Sequence, residues 1–188
     1  MKRIVLVLLV AAGAALPASQ TEVEAELGRI ARVATAVIDG DECEKIMTRR
    51  ALEKMFRTDP RDRWAGHDNF DVNDGPYIAV KKLLRRIATL APFPVDCNLW
   101  MSFRERPELV QILIRQVNEI SQFWKWGDLY QPMPPEMEEV LETGKPKTVA
   151  SRGDYVSVLT PVFNSLGDVV AIVEVVTTLV RDERGNVK

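Results

Sequence analysis

The chain has 188 residues, 46% of them hydrophobic and 28% charged, with a formal net charge of −2. That length supports one domain with a sizeable core, and the composition excludes a disordered chain. The near-neutral, interspersed charge excludes a polycation built for nucleic acid.

Lys2 and Arg3 precede the apolar run Ile4–Leu16, and Pro17, Ala18 and Ser19 follow it. This is the three-part layout of a secretory signal peptide. The run makes roughly 20 Å of helix against a hydrocarbon core of about 30 Å, so cleavage is expected over a membrane span. The cut falls at Gly13–Ala15 or near Ala18. The expected organisation is a leader over 1–18, one domain over 19–180 and a polar tail over 181–188. The expected location is the periplasm or the exterior; the alternative is retention in the inner membrane by an uncleaved anchor. Losing Lys2 and Arg3 takes the mature charge to about −4.

Val23, Leu27, Ile30, Ala31, Ala34, Val37 and Ile38 recur at helical spacing and predict a long first helix, with Thr21 as N-cap and Glu24 as its capping-box partner. The Asp39–Asp41 stretch "DGD" interrupts it, and a shorter helix is predicted to run through Met47 to Phe56. Arg57–Gly75, rich in Asp, Asn, Gly and Pro, predicts a long loop. Asp74 or Gly75 then caps a helix with Pro76 in its first turn. Its apolar stripe is Tyr77, Val80, Leu83, Leu84, Ile87 and Leu90; Lys81, Lys82, Arg85 and Arg86 form a solvated face. "APFP" (Ala91–Pro94) ends it.

From there the texture is β. Cys97–Phe103 and Glu108–Val117 predict strands joined by a turn at Arg104–Pro107. The stretch "SQFWKWGDLY" fits no element. A short helix follows from Pro134 or Pro135 to Gly144, with acids in its first turn. Three strands are predicted near Thr148–Ser151, Tyr155–Val162 and Asp168–Leu179, the last two joined by Asn164–Asp168. Pro161 belongs near the end of its strand, because it has no N–H to donate. In the last strand Val169, Ala171, Val173 and Val175 share one face. Glu174 marks the other face as partly wet or pocket-facing. Helices first, then strands separated by tight turns, predict an α+β domain with one antiparallel sheet backed by helices.

Chemistry is sparse. His67 is the only histidine, among Asp62, Asp68 and Asp71, and no nucleophile elbow, phosphate loop or metal motif accompanies it. Neither an enzyme nor a cofactor is expected. Cys43 and Cys97 form either one disulfide, closing a loop worth roughly 3–4 kcal/mol, or two buried thiols. Trp100, Trp124, Trp126, Tyr130 and Tyr155 supply the aromatic walls of a small-ligand pocket or of an ordinary core. Arg104 and Arg152 suit a carboxylate, and Asp154 suits an amine. The candidate ligand residues are therefore Trp100, Arg104, Trp126, Tyr130, Arg152, Asp154 and Tyr155.

Three stretches, Ala34–Ile46 "ATAVIDGDECEKI", Gly75–Pro94 "GPYIAVKKLLRRIATLAPFP" and Gly127–Val176, in this order and spacing, resemble the extracytoplasmic Cache sensor domains, relatives of PAS domains. The resemblance implies a PAS-like antiparallel sheet of about five strands, with a long N-terminal helix and covering helices. It also implies a pocket between sheet and covering loops for an amino acid, carboxylate or amine. Departures are plain: Cys43 stands where several relatives have His, and no aromatic-Arg-Asp constellation is recognisable. No second membrane segment follows Val180, so the expected partner is a separate sensor kinase or chemoreceptor, or a second copy in a homodimer. Two functions follow: a free-standing exported small-molecule-binding sensor domain, or a filled-core interaction or dimerisation module of the same fold.

Overall fold

The computed structural model describes residues 19–55, 71–116, 118–124, 130–150 and 154–179. The expected leader, most of the 57–75 loop with His67, Trp126, Arg152 and the polar tail lie outside them.

The first helix, α1 (Gln20–Val37), is capped by Ser19 rather than Thr21. The Ser19 side chain accepts from the Glu22 N–H, and the Glu22 carboxylate accepts from the Ser19 N–H at 2.7 Å. The box sits two residues closer to the start, where Ser19 has the extended backbone an N-cap needs. Val23, Leu27, Ile30, Ala31 and Ala34 are buried as predicted, and so is Ile38 just past the helix, but Val37, the last helical residue, is 46% exposed. Asp39 then caps the short α2 (Gly40–Glu44) by accepting from the Asp41 N–H. The predicted second helix is thus two, α2 and α3 (Arg49–Met55), with Thr48 accepting from the Ala51 N–H at the break.

The helix α4 (Asp74–Ala88) buries Val80, Leu84 and Ile87 and leaves Lys82, Arg85 and Arg86 exposed. Leu90, predicted on its apolar stripe, lies beyond the helix end and is exposed. The strands β1 (Asp96–Ser102), β2 (Leu109–Ile114) and β3 (Tyr130–Pro132) follow, then α5 (Pro135–Thr143) and β4 (Lys147–Val149), β5 (Tyr155–Phe163) and β6 (Val169–Thr178). Gly144 ends α5 in the left-handed region at φ 62°, which a glycine adopts without a Cβ penalty. The unassigned stretch before Pro134 contributes β3, too short to carry a period of its own.

All six strands form one antiparallel sheet in the order β3-β2-β1-β6-β5-β4. The first and last long strands are neighbours at its centre, and β6 closes the fold by pairing on both sides. Pro161 lies opposite Ile172 on β5, beyond the point where β4 pairs, so its missing N–H costs no ladder bond.

The sheet has two covered faces. On the first, α1, α2 and α4 pack over Cys97, Leu99, Met101, Val158, Ala171, Val173 and Val175. On the second, α5 and residues 118–124 cover Trp100, Ile112, Leu159 and Ile172. The alternation along β6 therefore runs as the sequence predicts. The "DGD" turn joins the first layer to the β5–β6 hairpin. A Cβ on Gly40 would lie 2.5 Å from the Phe163 carbonyl oxygen, so only glycine permits this approach. Asp41 accepts from the Ser165 N–H at 3.1 Å and pins the hairpin tip.

Candidate functional site

The sheet's second face is organised around Glu174. Its position on β6 puts it between Asn98 on β1 and Leu159 on β5. It is fully buried, and five groups donate to it. Oε2 accepts from Ser121 Oγ at 2.6 Å, Trp100 Nε1 at 3.1 Å and Asn98 Nδ2 at 3.3 Å. Oε1 accepts from the Gln122 N–H at 2.9 Å and Ser157 Oγ at 3.1 Å. The direction of the Ser121 bond follows from its other partners. Its oxygen accepts from the N–H groups of Phe123 and Trp124, so its own proton goes to Glu174. Burial pushes the Glu174 carboxyl above the ordinary carboxylate range, and the bonds from Ser121, Gln122, Trp100 and Asn98 offset part of that rise.

Neighbouring polar residues extend the row and hold the covering segment down. Asp96 accepts from Asn118 Nδ2 at 2.8 Å and the Ile120 N–H at 2.9 Å. Asn98 accepts from the Gln116 N–H and donates to the Ile120 carbonyl. Gln122 donates to the Val149 carbonyl and to Ser157, linking the segment to β4 and β5. Glu119 takes a left-handed conformation (φ 54°) in the turn that brings the chain onto this face. The rest is apolar: Trp100 meets the Phe123 ring edge-on at 6.4 Å, with Met137 and Val140 of α5 in the same cluster. Two carboxamide atoms here have no hydrogen-bond partner, Gln116 Nε2 and Gln122 Oε1.

The candidate ligand residues are not gathered into one pocket. Trp100 is 1% exposed and is core, with its indole N–H committed to Glu174. Arg104 lies at the other end of the molecule, exposed, 3.3 Å from Glu44. Tyr155 opens β5 opposite Thr178, and by the registers it lies about ten residues, roughly 30 Å, from Arg104 along the strand direction. Asp154 is exposed and its backbone carbonyl accepts from the Leu179 N–H. Tyr130 contributes backbone to β3 opposite Gln111, and its side chain is outside the described residues, as are Trp126 and Arg152. Trp124 is half-buried with the Arg115 guanidinium 4.1 Å over its ring.

Cys43 and Cys97 are both free thiols in the first-face core. Burial raises each to about 12, with neighbouring carboxylates adding to the rise, so neither is a ready nucleophile. Glu174, the centre of this face, was visible in the sequence only as a lone acid in an apolar strand. Ser121, Gln122 and Ser157 carried no signal, because their role depends on a contact across the sheet.

Two clefts lie elsewhere, at the Arg104 end of the sheet. One of about 250 Å³ is lined by Glu44, Met47, Leu52, Met101, Ser102, Phe103, Arg104 and Glu105. The other, of about 270 Å³, shares Glu44, Met101, Ser102 and Arg104 and adds Leu166, Asp168, Val169 and Val170. No group of His, Cys, Asp and Glu among the described residues has the arrangement of a metal site. No helix among them is long and apolar enough to cross a membrane. A scan against protein-family models finds no match, and a search of the curated proteins finds none either.

Proposed function

We propose that this chain is an exported Cache-like module of PAS-like build that acts by contact with a separate partner, with the sheet's second face serving as core rather than as a ligand pocket. The observation that carries it is the closure of that face. Trp100 is sealed beneath Phe123 and α5, and Glu174 is satisfied by five donors from the chain itself. A ligand there would have to displace both an apolar plug and a set of charge-oriented hydrogen bonds. The kinship is supported by the long capped N-terminal helix laid across a sheet whose first and last long strands pair at the centre. No catalytic role is assigned: the buried carboxylates Glu174 and Asp96 both accept hydrogen bonds from the chain itself, and burial keeps the thiols protonated. The partner is a membrane sensor kinase, a chemoreceptor or a second copy of the chain.

A second reading is a sensor that binds an amino acid, carboxylate or amine on this same face. It is favoured by two unpartnered carboxamide atoms, Gln122 Oε1 on the covering segment and Gln116 Nε2 just before it, an acceptor and a donor left over beside the Glu174 row. One experiment separates the two. The emission of Trp100, taken as the difference between the wild type and Trp100→Phe, is followed across a panel of amino acids, short carboxylates and amines, together with the melting temperature. The contact reading expects emission and iodide accessibility to stay unchanged throughout. A compound that raises the melting temperature and alters the Trp100 signal overturns it in favour of the sensor.

A further inference from the structure

We propose that the outer face of α4 docks on an anionic lipid membrane, with Lys82, Arg85 and Arg86 against the phospholipid headgroups and Ile78 entering the interface among them. The site lies in the helix layer over the sheet's first face and does not rest on the second face being open or closed.

Helix geometry gathers these residues. At about 100° per residue, Ile78, Lys82, Arg85 and Thr89 fall within roughly 60° of one another, with Arg86 just beside them. Val80, Leu84 and Ile87 fall on the opposite side and are buried in the core. Lys82, Arg85 and Arg86 are exposed. Ile78, large and apolar, is 47% exposed among them, and Leu90, just past the helix end, is 44% exposed.

The charges on this face differ from those elsewhere. Most cations on the other elements are paired: Arg29 meets Glu26, Lys45 meets Glu42, Arg49 meets Glu53 and Arg115 meets Glu119. Among the described residues, no carboxylate lies within ion-pair distance of Lys82, Arg85 or Arg86. Their neighbour Lys81 is held instead by Tyr77, 3.3 Å from its hydroxyl. The one carboxylate of α4, Asp74, is in the first turn, about 12 Å along the axis from Lys82. Arg85 and Arg86 in the last turn suit the helix dipole, but that accounts for neither Lys82 nor the exposed Ile78. A chain with 27 acids against 25 bases thus concentrates unpaired positive charge on one face.

An anionic bilayer matches both features, since its surface attracts each Lys and Arg and its interface takes up apolar side chains. The fold places the face suitably. The Asn73 N–H donates to the Ile46 carbonyl at the start of α4, and Arg29 donates to the Leu90 carbonyl just past its end. The helix α4 therefore runs antiparallel to α1, and its basic end lies toward the half of α1 that follows the apolar run Ile4–Leu16 in sequence. The expected leader brings that end of the chain to a membrane.

The test is co-sedimentation of the full chain with vesicles of phosphatidylcholine, with and without about one-third phosphatidylglycerol. Each Lys or Arg near an anionic surface contributes roughly fivefold to binding, so Lys82→Gln, Arg85→Gln and Arg86→Gln together lower partition onto the anionic vesicles on the order of a hundredfold. Binding to phosphatidylcholine alone does not change. Lys82→Gln by itself, outside the last turn, costs roughly fivefold and keeps the fold. Lys82→Arg with Arg85→Lys and Arg86→Lys restores the wild-type affinity, and Ile78→Ser weakens it several-fold. Neutralising three cations off this face, by Lys45→Gln, Arg49→Gln and Arg115→Gln, leaves it within about twofold, which separates docking from net charge. Lys2 and Arg3 are present in every variant, so the comparison isolates α4. No preference for anionic vesicles, or equal losses from the two sets of neutralised cations, overturns the proposal. Binding of polyglutamate without binding of vesicles also overturns it and assigns the face to an acidic protein.

Discussion

Replacing Glu174 by Gln changes one atom of the side chain and tests the hub directly. The wild-type carboxylate accepts from five donors, three on Oε2 and two on Oε1. An amide keeps one acceptor, and its best placement leaves the oxygen facing Asn98, Trp100 and Ser121. Its NH2 group then points at the Gln122 N–H, a donor that cannot reverse, and at Ser157, whose oxygen already accepts from Gln122 Nε2. Above the pH at which the carboxyl ionises, one buried backbone donor is orphaned, at about 1–3 kcal/mol, and the remaining bonds lose their charge assistance, for a total of about 2–4 kcal/mol. Urea unfolding measures this as a fall in midpoint with the slope unchanged.

The pH dependence adds a second readout. The Glu174 carboxyl is raised in the folded state by burial, so its contribution is fully present below the ordinary value of 4.5 and is lost as pH rises through the folded value. The wild type therefore loses stability across that window, and Glu174→Gln, which has no proton to lose there, does not. An unchanged midpoint together with an unchanged pH slope refutes the hub.

Gly40→Ala forces a Cβ against the backbone of Phe163 and Asn164 at 2.5–2.7 Å, so the hairpin must move; a loss of about 2–3 kcal/mol is expected in the same unfolding assay. Trp100→Phe keeps one aromatic ring but removes the other with the N–H that Glu174 accepts, and should lower stability by about 1.5–3 kcal/mol, read from the urea midpoint. Cys43 and Cys97, buried and raised to about 12, should resist a thiol reagent at pH 8 until urea unfolds the chain; prompt labelling of the native protein contradicts their burial. Ser19→Ala removes the capping box of α1 and should cost about 1 kcal/mol, visible as a lower melting temperature.

Periodicity made most of the elements legible before any coordinates. The apolar spacings of α1 and α4, the proline and acids at the start of α5 with Gly144 at its end, and the alternation of β6 all stand where local physics put them. Local physics also has a resolution. It placed the α1 cap on Thr21 instead of Ser19, because both residues can cap and only the backbone conformation chooses. It missed β3, because three residues opposite Leu109–Gln111 are a strand only when β2 is there to pair them.

The candidate site was much less legible. Trp100, Arg104 and Tyr155 are all at informative positions, yet Trp100 faces one side of the sheet, Arg104 sits at its far end and Tyr155 opens a different strand. Residue type proposes a ligand contact, but strand register and face decide which side chains can meet.

From its own composition and spacing, the chain determined an α+β domain, its helices, its long strands and the two faces of β6, because those depend on neighbours in sequence. Tertiary structure alone decided that Glu174 is a satisfied core residue rather than a pocket wall, that the two cysteines stay free, and that Arg104 turns to Glu44. Each of these outcomes rests on groups dozens of residues apart, and only the folded sheet brings their charges and hydrogen-bonding atoms within reach of one another.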